Sequence, residues 1–293
     1  MDSLLLKSGD FMEYILIGAG SDLGVHVNGA KSGPATLINN LDFNIKKELL
    51  IQDEKIIKSL DKHDLEKNLD EVNKFNENLY KILNANIDKF IITIGGDHSI
   101  SIPSVLTSCK KDNIGLIWID AHPDYNTFDT TITGNLHGLP CACVTGYDCG
   151  KLSYYHNGTF VNPENTVIVG ARSIDKLEME NLKKAGVTIF TTKDIKKYGT
   201  KEIMDKAFAI ANNGTNKIHI SYDLDVIDPL VAPGVSVPEV NGIDEEEAYG
   251  IASYLHDNMD KMVALDVVEF NPKYDINNKT LNIATKILNI IIK

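Results

Sequence analysis

Arginine is almost absent from this sequence: among 293 residues and 29 basic side chains, Arg172 is the only one. Lysine supplies the rest, and lysine cannot reproduce the rigid bidentate fork of a guanidinium. A lone arginine in such a composition is expected to make a specific buried contact, here one that holds a loop near the functional site. Positive charge is also outweighed. The 41 acidic residues leave a formal net charge of -12, which argues against nucleic acid and anionic membranes as partners, since both want a basic face. Long apolar runs are missing as well, and none approaches the roughly 20 residues that cross a bilayer. Leu4-Leu5-Leu6 stands near the start without a basic region, a longer apolar stretch or a small-residue cleavage site. That segment does not read as a signal peptide, and a cytoplasmic location is the expectation. Cysteine is sparse. Cys109, Cys141, Cys143 and Cys149 lack the Cys-x-x-Cys pairs of zinc sites and read as idle thiols in a reducing compartment.

What is present is a series of short, continuous apolar runs rich in β-branched residues: Tyr14-Ile17, Phe90-Ile94, Ile114-Ile119, Thr166-Val169, Val187-Phe190, Ile218-Tyr222 and Met262-Val268. Runs without alternation are those of strands covered on both faces. Helical patterns lie between them. One places Leu65, Leu69, Val72, Leu79 and Leu83 on one face, and another runs from Thr280 to Ile291. The alternation predicts an α/β fold over residues 1–293, one domain built on a mostly parallel sheet.

Residues with chemistry collect at the carboxyl ends of these strands, where open α/β sheets bind ligands. His98 follows Gly95-Gly96-Asp97. Asp120 opens Asp120-Ala121-His122-Pro123-Asp124, Asp223-Leu224-Asp225 closes another run, and Glu269 a fourth. If the backbone stays extended, Asp120, His122 and Asp124 point one way, and so do Asp223 and Asp225. Four carboxylates packed together repel, and two divalent cations cancel four charges, so the count suggests a binuclear centre. Mixed oxygen and nitrogen donors suit manganese better than a thiolate-rich zinc site would. A rival signal, Gly18-Ala19-Gly20 with Gly24 after the first strand, misses the dinucleotide-binding spacing by one residue.

Taken together and in order, Gly95-Gly96-Asp97-His98-Ser99-Ile100, Trp118-Ile119-Asp120-Ala121-His122-Pro123-Asp124, Ser221-Tyr222-Asp223-Leu224-Asp225 and Asp266-Val267-Val268-Glu269 resemble the ureohydrolase family. That family comprises arginases, agmatinases and formimidoylglutamases, and the likeness is closest to bacterial-type arginases. The resemblance implies a single three-layer α/β/α ureohydrolase domain, two Mn2+ per subunit, and homotrimers or homohexamers. It implies that His98 and Asp124 hold one ion and His122 and Asp225 the other, with Asp120 and Asp223 bridging. A metal-bridging hydroxide would attack the guanidinium carbon of a small guanidino substrate, His137 would shuttle the proton, and Glu269 would pair with the guanidinium.

Arginine is the substrate the rim resembles most, giving L-ornithine and urea. Asn126, Thr133 and Asn135 would then hydrogen-bond its α-carboxylate and Asp175 would reach its α-amino group. Agmatine and formimidoylglutamate are the alternatives within the family, and an idle metal-binding paralogue is the alternative outside catalysis. Val235-Ser236-Val237 departs from the family pattern. Ser236 stands where a glycine is usual, Val237 lacks the hydroxyl expected beside the guanidinium, and Pro238-Glu239 is more like agmatinases. His26, His63, His156, His219 and His256 fall outside the motifs and read as structural or exposed. Asp97 and Asp228 are expected to orient the ligand segments.

Overall fold

The computed structural model describes residues 13–43, 45–53, 56, 58–59, 61, 64, 66–147 and 150–293. Its strands are β1 (Tyr14–Gly20), β2 (Lys46–Ile51), β3 (Phe90–Gly95), β4 (Ile114–Ile119), β5 (Thr166–Ala171), β6 (Thr188–Thr191), β7 (Lys217–Asp223) and β8 (Met262–Val268). They form one sheet in the order β2-β1-β3-β8-β7-β4-β5-β6, every pairing parallel. The seven expected runs are all strands, with ends shifted by at most three residues, the largest shift being β1, which continues from Ile17 to Gly20. β2 was not expected. Its sequence, Lys-Lys-Glu-Leu-Leu-Ile, lies on the sheet edge with exposed and half-exposed residues, so it needs no continuous apolar run.

The helices are α1 (Gly33–Asn40), α2 (Leu69–Asn84), α3 (Ser101–Lys111), α4 (Pro140–Val144), α5 (Lys176–Ala185), α6 (Thr192–Tyr198), α7 (Thr200–Ala211), α8 (Glu245–Asp257) and α9 (Lys279–Ile292). The pattern expected from Leu65 becomes α2 from Leu69 onward, and Leu65 itself lies outside the described residues. None of the described helices is long and apolar enough to cross a membrane.

Strand alternation sorts the core into two halves. Leu16, Ile92, Ile94, Ile117, Ile119, Ile220 and Leu265 face α1, α7, α8 and α9, whereas Ile15, Ile17, Ile91, Leu116, Trp118 and Ile168 face α2, α3, α4 and α5. The result is the expected three-layer α/β/α arrangement. Because every strand runs the same way, the loops after β1, β3, β4, β5, β7 and β8 open at one edge. The site is built there.

Candidate metal centre

Each ligand segment is fixed by a local device at a strand end. After β3, Gly96 lies so close to the β1 loop that a Cβ would sit 1.9 Å from the Ser21 carbonyl oxygen. Asp97 then caps the next turn, its Oδ1 accepting from the Ser99 amide at 3.0 Å and its Oδ2 from the Gly24 amide at 3.0 Å. This is the orienting role expected of it, and it places His98. Asp228 likewise accepts from the amides of Leu230 and Gly242, tying the loop after β7.

On β4, Trp118 and Asp120 are two residues apart and share a face. The indole stacks on the His98 ring at 4.0 Å and 9°, and its N–H donates to Asp120 Oδ2 at 2.9 Å. One side chain therefore holds two candidate ligands. Trp118→Phe should therefore weaken metal binding by about 10–100-fold, the usual cost of losing such a supporting contact. Chelator competition measures this, and unchanged affinity would remove Trp118 from the site's support.

The expectation that these segments stay extended is corrected. Asp120 Oδ1 accepts from the His122 amide at 2.6 Å, and Asp223 Oδ1 from the Asp225 amide at 2.7 Å. Each carboxylate thus folds the chain back on itself, the second into a 3-10 turn over Leu224–Val226. Asp124 sits at φ 50°, left-handed backbone that costs a non-glycine residue energy. Turns, rather than alternation, bring the side chains together.

They do converge. His98 Nδ1 lies 3.1 Å from Asp120 Oδ2, 3.1 Å from Asp124 Oδ2 and 3.0 Å from Asp223 Oδ2. His122 Nδ1 lies 3.0 Å from Asp225 Oδ2 and 3.6 Å from Asp120 Oδ1. Two groups could hold a cation among the described residues, His98–Asp120–Asp223 and Asp120–His122–Asp225, and Asp120 belongs to both. Asp223 falls only in the first, although a bridging role was expected of it. Asp124 adds its oxygen beside His98.

The donor set fits metal ions. His98 Nε2 is engaged by Ser221 Oγ at 2.9 Å, leaving the buried Nδ1 without a hydrogen-bond partner in the midst of three carboxylates. A proton on Nδ1 serves one acceptor; three oxygens around one nitrogen are the makings of a coordination sphere. Charge tells the same story. Burial, then repulsion from Asp225 and Asp120, pushes Asp223 well above the usual carboxylate range. Burial lifts Asp225 to about 6 despite neighbouring His122, with Asp120 adding to the rise. His98 and His122 are held well above ordinary imidazole values, the surrounding carboxylates overcoming burial. Without cations, protons must balance the cluster; divalent ions replace them.

Beside the cluster, His137 Nδ1 lies 2.9 Å from Glu269 Oε1, which also accepts from the His98 amide at 2.8 Å. Burial opposes both charges. Glu269 nevertheless holds His137 above its ordinary value and His137 holds Glu269 below its own. Glu269 Oε2 is buried with no partner among the described residues, and Glu269 has φ 67°.

A cavity of about 240 Å³ opens over this floor, lined by His122, Asp124 and His137 and, farther out, by Asn126, Thr133, Asn135 and Asp175. The candidate rim residues thus all reach one space. Asp175 is the N-cap of α5, with Glu178 answering its amide in a capping box. Sequence reasoning missed His26, Glu178 and Glu239 as lining residues. Glu178 accepts from the Tyr125 amide at 2.8 Å, yet burial lifts it to about 8. Glu239 accepts from Ser173 Oγ at 3.0 Å and stands 3.6 Å from His122 Nε2. Its position in Pro238-Glu239 was the available signal.

The unusual loop does not strain the chain at Ser236, which has no left-handed φ; its hydroxyl accepts from Asn271 Nδ2 at 3.2 Å. Val237 lines the cavity. Arg172 holds loops near the site as expected, though it is half-buried rather than buried. Its guanidinium donates to the carbonyls of Asp225 at 2.7 Å, Val226 at 3.0 Å, Glu239 at 2.8 Å and Val240 at 3.1 Å. An ammonium is a single point and cannot span two loops. Arg172→Lys should therefore cost about 2 kcal/mol of stability, as some carbonyls lose their donor. Urea unfolding checks this, and a change within error would contradict the latch.

Of the other histidines, His156 bonds Tyr80 and the Thr159 carbonyl, His219 bonds Ser108 and Asp266, and His256 the Ile291 carbonyl. All three are structural; His63 lies outside the described residues. Cys109, Cys141 and Cys143 are buried, while Cys149 lies outside the described residues. Gly24, part of the dinucleotide-like spacing, is spent on Asp97, whose Oδ1 would lie 2.6 Å from a Cβ.

Comparison with known proteins points the same way. The model described as Arginase family matches residues 12–292. Arginase from Brevibacillus brevis is 34% identical over 292 residues, covering 94% of this chain and 96% of the relative. Among solved structures, arginase from Bacillus subtilis superposes with a TM-score of 0.87 at 32% identity, over 96% of this chain and 98% of that one. Entamoeba histolytica arginase in complex with L-ornithine gives 0.87 at 28% identity, with the same coverage.

Proposed function

The chain belongs to the arginase family, and from that premise we propose that it cleaves the guanidino group of L-arginine to L-ornithine and urea. It is a metal-dependent ureohydrolase by family; the substrate, the use of two Mn2+ and the residue roles are our reading. What carries it is the cavity, which joins an acidic ligand cluster to a rim of amides, a hydroxyl and carboxylates, with no lysine or arginine lining it among the described residues. A guanidinium is planar and cationic, and Glu269, with Oε2 unpaired, suits a charge-assisted bond to it. Asp175 suits an α-ammonium, and Asn126, Thr133 and Asn135 are neutral groups that can serve an α-carboxylate. A substrate ending in two carboxylates would meet Asp175, Glu178 and Glu239 without a compensating cation, which disfavours formimidoylglutamate. The relative solved with L-ornithine carries the product expected here.

In this reading His98 and Asp124 hold one ion, His122 and Asp225 the other, and Asp120 and Asp223 lie between. A metal pair, when bound, supplies charge compensation and acidifies water near neutrality. The chain's own groups do the rest. Glu269 orients the guanidinium, the rim holds the amino-acid end, and His137 carries a proton to the departing amine nitrogen. Glu239, as a further carboxylate on the rim, favours agmatine as the second reading. Urea release from Mn2+-loaded protein decides: arginine should exceed agmatine in kcat/KM. The reverse order makes agmatine the substrate, and no urea from either rejects the reading. Homotrimers or homohexamers and a cytoplasmic location are proposed on the family likeness, and light scattering tests the former.

A further inference from the structure

We propose that Thr130 is a positioning residue that sets substrate specificity by holding the Asn126 amide as a hydrogen-bond donor to the substrate's α-carboxylate. This rests on the arginine reading and deepens it. Thr130 does not itself line the cavity, whereas Asn126 does. The Thr130 hydroxyl is the centre of a small network in the loop after β4. Its Oγ1 accepts from the Thr127 amide at 2.8 Å and from Asn181 Nδ2 at 3.3 Å, and Thr127 Oγ1 lies 3.3 Å away. Asn126 Oδ1 stands 3.0 Å from the same oxygen. A backbone N–H and a side-chain NH2 only donate, so they take up the two acceptor positions of the hydroxyl. Its one hydrogen then goes to Asn126 Oδ1.

The other end of Asn126 agrees independently. Its Nδ2 lies 3.3 Å from Asp175 Oδ2, and an ionised carboxylate only accepts. Turned over, the amide would set its oxygen against that carboxylate and its NH2 against a hydroxyl oxygen already supplied with donors. Both contacts therefore select one orientation, with Oδ1 satisfied and one N–H of Nδ2 spent on Asp175. The second N–H has no partner among the described residues, and it is the group that Asn126 can offer a ligand in the cavity. An acceptor in that place would repel a carboxylate; a fixed donor attracts one.

The network is anchored on α5. Asn181 also donates to the Tyr125 carbonyl at 3.4 Å, while Glu178 accepts from the Tyr125 amide. One helix thus carries Asp175, the ammonium's partner, and steadies through Thr130 the carboxylate's partner. The turn itself does not depend on the hydroxyl, because the Thr127 carbonyl accepts from the amides of Thr130 at 3.2 Å and Thr131 at 3.0 Å. Loss of the hydroxyl should release the Asn126 amide and leave the loop in place.

Kinetics of the Mn2+-loaded protein test this. Thr130→Val keeps the branched shape and loses the hydroxyl. Its KM for L-arginine should rise about tenfold, the worth of one oriented hydrogen bond to a charge. Its kcat should stay within about twofold, and the KM for agmatine, which has no carboxylate, should hold. Thr130→Ser, which keeps the donor, should restore most of the arginine KM. L-ornithine inhibition should weaken in parallel and putrescine inhibition should not. Because Thr130 acts through Asn126, adding Thr130→Val to Asn126→Ala should change the arginine KM by less than about twofold. With arginine hydrolysed by the wild type, three results overturn the assignment: an unchanged arginine KM in Thr130→Val, equal losses for both substrates, or a full further loss in the Asn126→Ala background. Wild-type protein that does not hydrolyse arginine overturns the substrate reading together with this inference.

Discussion

Replacing Asp120 with asparagine should lower urea release from arginine by about a thousandfold or more, since the ions contribute several kcal/mol and each 1.36 kcal/mol is tenfold. Asp120 is the residue common to both candidate cation groups. Both its oxygens are also committed to N–H donors, Oδ2 to Trp118 and Oδ1 to the His122 amide. An asparagine keeps one acceptor and turns an NH2 toward the other donor, so the loss combines charge with a misplaced contact. Metal content after dialysis should fall below that of the wild type, which the reading sets at two per subunit. In metal-free protein the variant relieves repulsion on Asp223, Asp225 and Asp124, all raised by burial and by Asp120 among their neighbours. It also removes a carboxylate that His122 and His98 hold below its ordinary range against burial, and whose charge therefore stabilises the fold. Its metal-free melting temperature should then fall below that of wild type. Added Mn2+ should stabilise the wild type, by about 2.7 kcal/mol at a hundredfold excess over Kd, and the variant far less. Full metal content with high activity would refute Asp120 as the shared ligand.

The cluster could be read from sequence because cations need specific donors and the fold delivers strand ends to one edge. Continuous apolar runs give the strands, and Asp or His directly after each run gives the donors. The geometry that joins them could not be read. Alternation carries side-chain direction only as far as Asp120, after which hydrogen bonds to the backbone take over at His122 and Asp225. The left-handed φ of Glu269 has no local signature, and that of Asp124 only a weak one, since aspartate visits this region more readily than most side chains but far less readily than glycine. Such strain is held by the surrounding structure, as where the Glu269 amide donates to the Gly96 carbonyl at 2.8 Å. Arg172 was conspicuous by composition, and its role followed from the chemistry of guanidinium. Trp118, equally solitary, gave no hint of its double contact with His98 and Asp120. His26 and Glu178 reach the cavity through packing between distant segments, which no local pattern encodes.

His137→Ala should leave both ions in place and cut turnover by about 10²–10⁴-fold, the usual contribution of a positioned acid or base. The two losses contained in this variant can be separated. His137 holds Glu269 below its ordinary range against burial, so removing the ring lets the Glu269 carboxyl take up a proton more readily. A neutral Glu269 binds a guanidinium less well, and KM should rise along with the fall in kcat. His137→Asn divides the effects, because its amide can still donate toward Glu269 Oε1, now 2.9 Å from the ring nitrogen. KM should recover toward wild type while kcat stays low, since an amide does not exchange protons near neutrality. Added imidazole should restore part of the turnover of His137→Ala, where a space is left for it, and little of that of His137→Asn. Metal analysis completes the test. Ions lost from either variant would make His137 a support of the centre, and retained ions with unchanged kcat would remove it from proton transfer.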